Sequence, residues 1–297
     1  LKDEADRAVF LDLVETSDVL VENFRPGVME RLGLGPERLK ERRPDLIYCA
    51  ITGFGQTGPL RDNPAYDQIV QGLSGVMGLT GTPETAPLRV GYPVCDTLGG
   101  LFGAFAVAAA LVRRAATGEG AVLDVSMLES TLSAMGWPVS NWLTAGIPPK
   151  PMGNDNMTAA PSGAFRTGDG LLNIAANKQE HFVALCRALG RPGLAQDPRF
   201  AERDTRKANR QALTPLLEEV LADRSAAEWE GILNAAGVPA GRVLTLPETL
   251  AEPQVLARDV MIAFEGVQGL DRPLTVVRGG FLVDGEAPRP AGPPPSM

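Results

Sequence analysis

The residues best suited to chemistry in this sequence lie between Leu88 and Ser130. Asp96 follows an extended apolar run, Val90 to Val94, and precedes a stretch of small and apolar residues, Thr97 to Val112. That pattern predicts a strand, then a helix, with Asp96 at the junction and its side chain at the N-cap. A carboxylate there has two uses. It can cap the helix, which is the commoner one. It can also act as a nucleophile at the C-terminal edge of a sheet, where open α/β folds place their ligands. Gly99, Gly100 and Gly103 keep the helix thin, so another backbone or a flat ligand can come close. Arg113 and Arg114 suit its C-terminus, Thr117 to Gly120 reads as a turn, and Ala121 to Val125 as the next strand.

Two upstream strand ends carry further candidates. Asp18 to Phe24 reads as a short strand leading to the Arg25-Pro26-Gly27 turn and a helix from Val28. Asn23, Phe24 and Arg31 could hold a nucleotide's base and phosphates; the plainer reading is a turn and a surface helix. Asp45 to Ile51 reads as a second strand, ending in the glycine-rich segment Thr52 to Pro59. With Gly53 and Gln56 in it, that loop could offer backbone N–H donors to a ligand. It lacks the lysine of a phosphate-binding Walker loop and the glycine spacing of a dinucleotide fingerprint. Strands alternating with helices at this pitch predict a parallel sheet.

Composition removes several function classes. The chain has 297 residues and a net charge of −8, which argues against nucleic acid and anionic membrane surfaces. Leu101 to Val112 is too short an apolar run to cross a bilayer. There is one histidine, His181, so multi-histidine metal sites are excluded, and a Ser-His-Asp triad near Asp96 would need His181 to fold back onto it. Cys49, Cys95 and Cys186 show no paired spacing, which suits a reducing, cytoplasmic compartment and no metal site. Cys95 adjoins Asp96 among apolar neighbours and reads as core.

The remaining chain divides by pattern. Residues 1–130 form a large α/β domain and 131–160 a linker or long broken helix containing Trp137 and Trp142. Residues 161–250 form a small α+β domain that opens on a hairpin turning at Thr167 to Gly170. Residues 251–285 are a return segment, and 286–297 a proline-rich tail.

Taken together and in order, several motifs resemble the class III CoA-transferases, the CaiB/BaiF family of formyl-CoA and carnitine CoA-transferases. They are VENFRPGVMERLGLG (Val21–Gly35), ITGFGQTGP (Ile51–Pro59), AYDQIVQGLSG (Ala65–Gly75), DTLGG with TGEGAVLDVSM (Asp96–Met127), the GNDN and AAPSGAFRTGDG segments (Gly153–Gly170), and AEWEGILNAAGVPAG (Ala227–Gly241). The resemblance implies a Rossmann-like large domain with a parallel sheet, a smaller α+β domain, and two subunits interlocked as a homodimer. It implies Asp96 as the nucleophile and a coenzyme A site including Asn23, Phe24 and Arg31, to which Gly53, Gln56 and Tyr66 are added as candidates. Coenzyme A would then be a substrate rather than a resident cofactor, passed from an acyl-CoA to a free carboxylic acid. Backbone N–H groups of Thr97 and Leu98 would be donors for the oxyanions. Two departures from the family are visible. Its usual first strand-helix unit would lie upstream of Leu1, and the region matching its tetraglycine loop, Gly153 to Asn156, holds one glycine.

Two rival readings share these motifs. An α-methylacyl-CoA racemase would pair the aspartate with a histidine at the position of Tyr66, which is a poor acid-base replacement. A non-catalytic CoA-binding fragment is the other.

Overall fold

The computed structural model describes residue 1 and residues 3–293; the last four residues of the expected proline-rich tail lie outside them. Two compact units are present, the first ending at Asn154 and the second beginning at Asp155.

The first unit opens with α1 (Glu4–Thr16), capped by Asp3, whose carboxylate accepts the Ala5 N–H at 2.7 Å. Then come β1 (Val19–Glu22), α2 (Val28–Arg31), α3 (Pro36–Arg42), β2 (Ile47–Thr52), α4 (Asp67–Ser74), α5 (Val76–Leu79), α6 (Val94–Thr117), β3 (Ala121–Ser126), α7 (Met127–Ala134) and α8 (Trp137–Ala145). The strands lie in the order β1-β2-β3, all parallel, with Val19 opposite Ile47 and Ile47 opposite Ala121. The expected α/β fold with a parallel sheet is present. β2 is central and buried from Ile47 to Ala50, as a strand covered on both faces must be. Leu11 and Val14 of α1 join Leu20, Met29, Leu34, Leu39 and Tyr48 in one core.

The sequence reading fails at Val90 to Val94. No strand forms there, and α6 begins at Val94 with Pro93 as its N-cap. Asp96 is therefore the third residue of the helix and not its cap. Gly91 and Pro93 explain the difference, because the one weakens a strand and the other removes a ladder donor. The glycine breaks elsewhere follow the same logic. The helical stretch from Asp67 to Leu79 is split into α4 and α5 at Gly75, whose φ of 84° few other residues adopt.

α6 is 24 residues long, twice the apolar run expected, and by length and composition alone would suffice to cross a membrane. In this unit it is the crossover between two parallel strands. Gly99 and Gly103 form the face that meets the sheet: a Cβ would sit 2.9 Å from Met127 Cγ at the first and 2.9 Å from Ile51 Cδ1 at the second. Leu101, Phe105 and Val112 on the same helix are exposed.

The second unit contains β4 (Ser162–Arg166), β5 (Leu171–Ala175), α9 (Gln179–Ala188), a 3-10 turn (Pro192–Ala195), α10 (Arg203–Ala208), α11 (Arg210–Leu221), α12 (Ala226–Ala235) and β6 (Ala240–Arg242). It continues with α13 (Leu246–Ala251), α14 (Pro253–Ala257), β7 (Met261–Phe264) and β8 (Leu274–Val277). β4-β5-β6 form an antiparallel sheet, and β7 pairs with β8. Phe165, Leu172, Phe182, Leu185, Leu213, Leu217 and Trp229 anchor its core. Three arginines hold the segment from Asp155 to Ala160. Arg203 donates to the Thr158 carbonyl, Arg210 to that of Asn156, and the buried Arg206 to that of Ala160 at 2.7 Å.

Candidate active site

All three parallel strands of the first unit end at one cleft of about 520 Å³. Asn23, Phe24, Arg25 and Pro26 enter it from the end of β1, and Ile51 to Phe54 from the end of β2. Met127 follows β3, while Asp96 and Gly100 come from α6; Arg61, Asn63, Ala65 and Tyr66 complete the wall. The sheet topology brings these residues together, since parallel strands deliver their C-terminal ends to one edge.

Of the sequence candidates, Asn23, Phe24, Gly53, Tyr66 and Asp96 line the cleft. The Asn23 amide donates to the Ile51 carbonyl and so ties the ends of β1 and β2. The Phe24 N–H donates to the Glu22 carboxylate at 2.6 Å, leaving its ring half exposed. Glu22 is held above the usual carboxylate range by burial, against the lowering effect of that N–H. Gly53 has no room for a side chain, because a Cβ would collide with that of Ala65. Tyr66, at the start of α4, is 79% exposed.

Arg31 and Gln56 are not among the lining residues. Arg31 ends α2 with its guanidinium over Gly27, 3.0 Å from where a Cβ would be. The N–H of Gln56 donates to both oxygens of Asp124, at 3.1 and 3.0 Å, and that of Gly55 to Thr52 Oγ1 at 2.9 Å. Those two donors of the glycine-rich loop stabilise the loop itself and are not free for a ligand. Four polar groups that the sequence reading passed over do reach the cleft: Arg25, Thr52, Arg61 and Asn63. Arg25 and Asn63 sit within a few residues of prolines in turn-like segments. A search for charged and amide side chains just after each strand would have found Arg25.

Asp96 is exposed on the cleft side, with no capping hydrogen bond from a side chain. Its carboxyl is pushed above the ordinary aspartate range, first by partial burial and second by the charge of Asp67. Asp67 is buried. Its Oδ1 accepts the Cys95 N–H at 2.8 Å and its Oδ2 accepts Gln71 Nε2 at 2.6 Å. The start of α6 thus receives its carboxylate from Asp67 on another helix.

The donors expected for an oxyanion need correction. The Thr97 N–H is taken by the Pro93 carbonyl at 3.0 Å. Leu98 is the fifth residue of the helix, where an α-helical N–H turns back on the preceding turn. Val94 and Cys95 donate to the Tyr92 carbonyl and to Asp67. Among the described residues, the N–H of the first turn without a protein partner is that of Asp96 itself. Cys95 is fully buried, and its thiol is pushed up mainly by burial. Both burial and the raised pKa disfavour it as a nucleophile. Among the described residues, no group of three or more His, Cys, Asp or Glu is placed to hold a metal ion.

The site can therefore present one solvent-facing carboxylate, beside two guanidinium groups and the aromatic rings of Phe24, Phe54 and Tyr66, to an anionic ligand. Known proteins share this arrangement of chain. The sequence is 44% identical over 277 residues to the acetyl-CoA:oxalate CoA-transferase of Acetobacter aceti, covering 93% of this chain and 71% of that one. It is 38% identical to an acyl-CoA transferase of Fusarium pseudograminearum, of whose length it spans 56%. It is 35% identical to the succinate–glutarate CoA-transferase of Agrobacterium fabrum, over 91% of this chain and 67% of that one. The crystal structure of a CAIB/BAIF family protein from Brucella suis superposes with a TM-score of 0.87 at 35% identity, covering 99% of this chain and 76% of the other. The model of CoA-transferase family III matches residues 1–297, and the chain belongs to that family.

Proposed function

We propose that the protein transfers coenzyme A from an acyl-CoA to a free carboxylic acid, with Asp96 as the covalent nucleophile. The observation that carries this reading is the exposed Asp96 carboxylate, unengaged in capping, in the cleft at the C-terminal edge of the sheet. A carboxylate oxygen of Asp96 attacks the thioester carbonyl, the C–S bond breaks, and CoA thiolate leaves an aspartyl anhydride behind. The thiolate then attacks the Asp96 carbonyl, the anhydride C–O bond breaks, and the donor acid departs as its carboxylate. The acceptor carboxylate attacks the resulting aspartyl thioester and displaces the thiolate. The thiolate finally takes the acceptor's acyl group and regenerates Asp96. No proton is gained or lost across the cycle, so a site without histidine suffices.

Asn23 and Phe24 are placed to meet the CoA moiety, with Gly53 and Tyr66 along the same wall. Arg25 and Arg61 supply positive charge, in a chain of net charge −8, for the phosphates or for a carboxylate acceptor. The relatives named for oxalate, succinate and glutarate act on dicarboxylic acids, which makes small dicarboxylates the proposed acceptor class. Coenzyme A is a substrate in this reading and no resident cofactor is needed. A homodimer that covers the exposed apolar face of α6, in a reducing cytoplasmic compartment, belongs to the same proposal.

The test is a donor–acceptor screen. Acetyl-CoA or succinyl-CoA is incubated with oxalate, succinate or glutarate, and the CoA esters are followed by mass spectrometry. New acyl-CoA formed by the wild type and lost in Asp96→Asn supports the reading. An acid-independent racemisation of a 2-methylacyl-CoA would replace it with the racemase reading.

A further inference from the structure

The helix that carries Asp96 lacks the strand that ordinarily delivers a residue to a sheet edge. Residues 88–93 are irregular, and two of their backbone groups, the Val90 N–H and the Tyr92 carbonyl, lead to one side chain. Gln71, fully buried, accepts the Val90 N–H on Oε1 at 2.9 Å. Its Nε2 donates to Asp67 Oδ2 at 2.6 Å and to the Tyr92 carbonyl at 3.3 Å. Asp67 in turn accepts the Cys95 N–H at 2.8 Å. The amide orientation has one solution, because Val90 needs an acceptor while Asp67 and Tyr92 both need a donor. Residues 67 and 71 are four apart on α4, so they lie on the same face. They grip the segment at Val90, Tyr92 and Cys95, immediately before Asp96.

We propose that Gln71 is a positioning residue for the proposed nucleophile. Its amide, acting with Asp67, replaces the missing strand ladder and fixes where α6 starts and hence where the Asp96 carboxylate stands. This rests on the reading of Asp96 given above. An apolar side chain of the same length would leave the Val90 N–H without its acceptor and one Asp67 oxygen without its donor. A glutamate would set a second carboxylate against Asp67. Only an amide satisfies both ends without charge. Gln71 is fully buried and is not among the residues lining the cleft, so its effect is on geometry: near-attack placement is sensitive to shifts of about 1 Å, which cost on the order of a hundredfold in rate.

The experiment uses the full chain with Gln71→Met, Asp67→Asn and the double variant. Transfer kinetics are measured with acetyl-CoA and a dicarboxylate, and hydrogen exchange is read on the peptide spanning residues 88–98. The expected result for Gln71→Met is a kcat lower by about tenfold to a hundredfold, a KM for acyl-CoA within about twofold, and faster exchange confined to that peptide. The double variant should be no worse than the poorer single one, because the two residues act as one unit. If Gln71→Met does not fold, Gln71→Glu, which retains an acceptor for Val90, carries the same measurements. Unchanged kcat and unchanged exchange in a folded variant, or losses that multiply in the double variant, would overturn the proposal. If the wild type transfers CoA to no acid, the functional reading fails, and hydrogen exchange alone decides whether Gln71 holds the segment.

Discussion

Asp67 Oδ1 accepts the backbone N–H of Cys95 at 2.8 Å, so one carboxylate holds the start of the helix turn that presents another, Asp96. The cost is repulsion. Partial burial and, after it, the charge of Asp67 raise the Asp96 carboxyl above its ordinary value of 3.8.

The direction of that shift sets a pH dependence. A nucleophilic carboxylate must be ionised, so transfer should be lost as pH falls through the folded pKa of Asp96, at a higher pH than for an ordinary aspartate. Asp67→Asn removes the smaller of the two causes. The acid limb of kcat/KM should move to lower pH yet stay above that of a free aspartate, because burial remains. For stability the sign is opposite to that of a salt-bridged acid. The contribution of Asp96 is full below its unfolded pKa and is lost as pH rises through the raised one. A pH–rate profile of the two proteins checks the first statement, and an unmoved limb would contradict it.

Asp96→Asn should abolish transfer by several orders of magnitude while leaving thermal stability unchanged or slightly higher at neutral pH. The carboxylate makes no capping bond that could be lost, and it sits beside a like charge. Trapping with hydroxylamine or borohydride after incubation with acyl-CoA should modify the wild-type peptide containing Asp96. A modification mapped to Asp67 or Cys95 would count against the assignment.

Gly103 and Gly100 should respond in opposite ways. A Cβ at Gly103 meets Ile51 Cδ1 at 2.9 Å, so Gly103→Val should destabilise the first unit by about 1–3 kcal/mol through overpacking. Nothing lies within 4 Å of a Cβ at Gly100. Gly100→Ala should therefore stabilise the helix by about 0.5–1 kcal/mol, while its methyl, standing in the cleft, weakens acyl-CoA binding. Urea unfolding and calorimetric titration separate the two effects.

Arg206→Lys should be strongly destabilising although charge is conserved. The guanidinium reaches the Ala160 and Phe200 carbonyls, each at 2.7 Å, and Gln179 Oε1 at 3.0 Å, and lies 4.1 Å from the Phe182 ring centroid. One ammonium cannot reproduce that planar fork. Each carbonyl left without a donor costs about 1–3 kcal/mol, and equilibrium unfolding in denaturant reads the loss. A change within about 0.5 kcal/mol would show that water replaces the missing contacts.

The elements with strong local signals were legible. β1, β2 and β3 carry β-branched and apolar runs closed by turns, α6 ends at Gly118 in the left-handed conformation a helix stop favours, and Ser225 with Glu228 forms a capping box for α12. Val90 to Val94 misled because an apolar run of that length reads alike whether or not a neighbouring strand exists to pair with it. Asp96 was legible as a cleft residue from its place just before the glycines Gly99, Gly100 and Gly103, although it stands inside the helix and not ahead of it. Arg61 and Asn63 were not, because a loop longer than any turn motif brings them to the cleft. The part played by Gln71 was hidden for the same reason, since its partners at Val90 and Tyr92 are 19 and 21 residues away.

Anchoring at Asp67 and Gln71 also gives the loop between α5 and α6 freedom to evolve. Its tip, from Thr82 to Thr85, closes on itself through a Thr82–Thr85 hydroxyl pair and a local turn. Beyond that tip the chain is held at Leu88, whose N–H donates to the Met77 and Thr80 carbonyls, and then by Gln71 from Val90. Residues inserted at that tip would lengthen a surface excursion at little entropic cost and leave the start of α6 where it was. One chain design could therefore vary this loop's length and chemistry over related substrates while its reactive carboxylate stays in register with the strand ends.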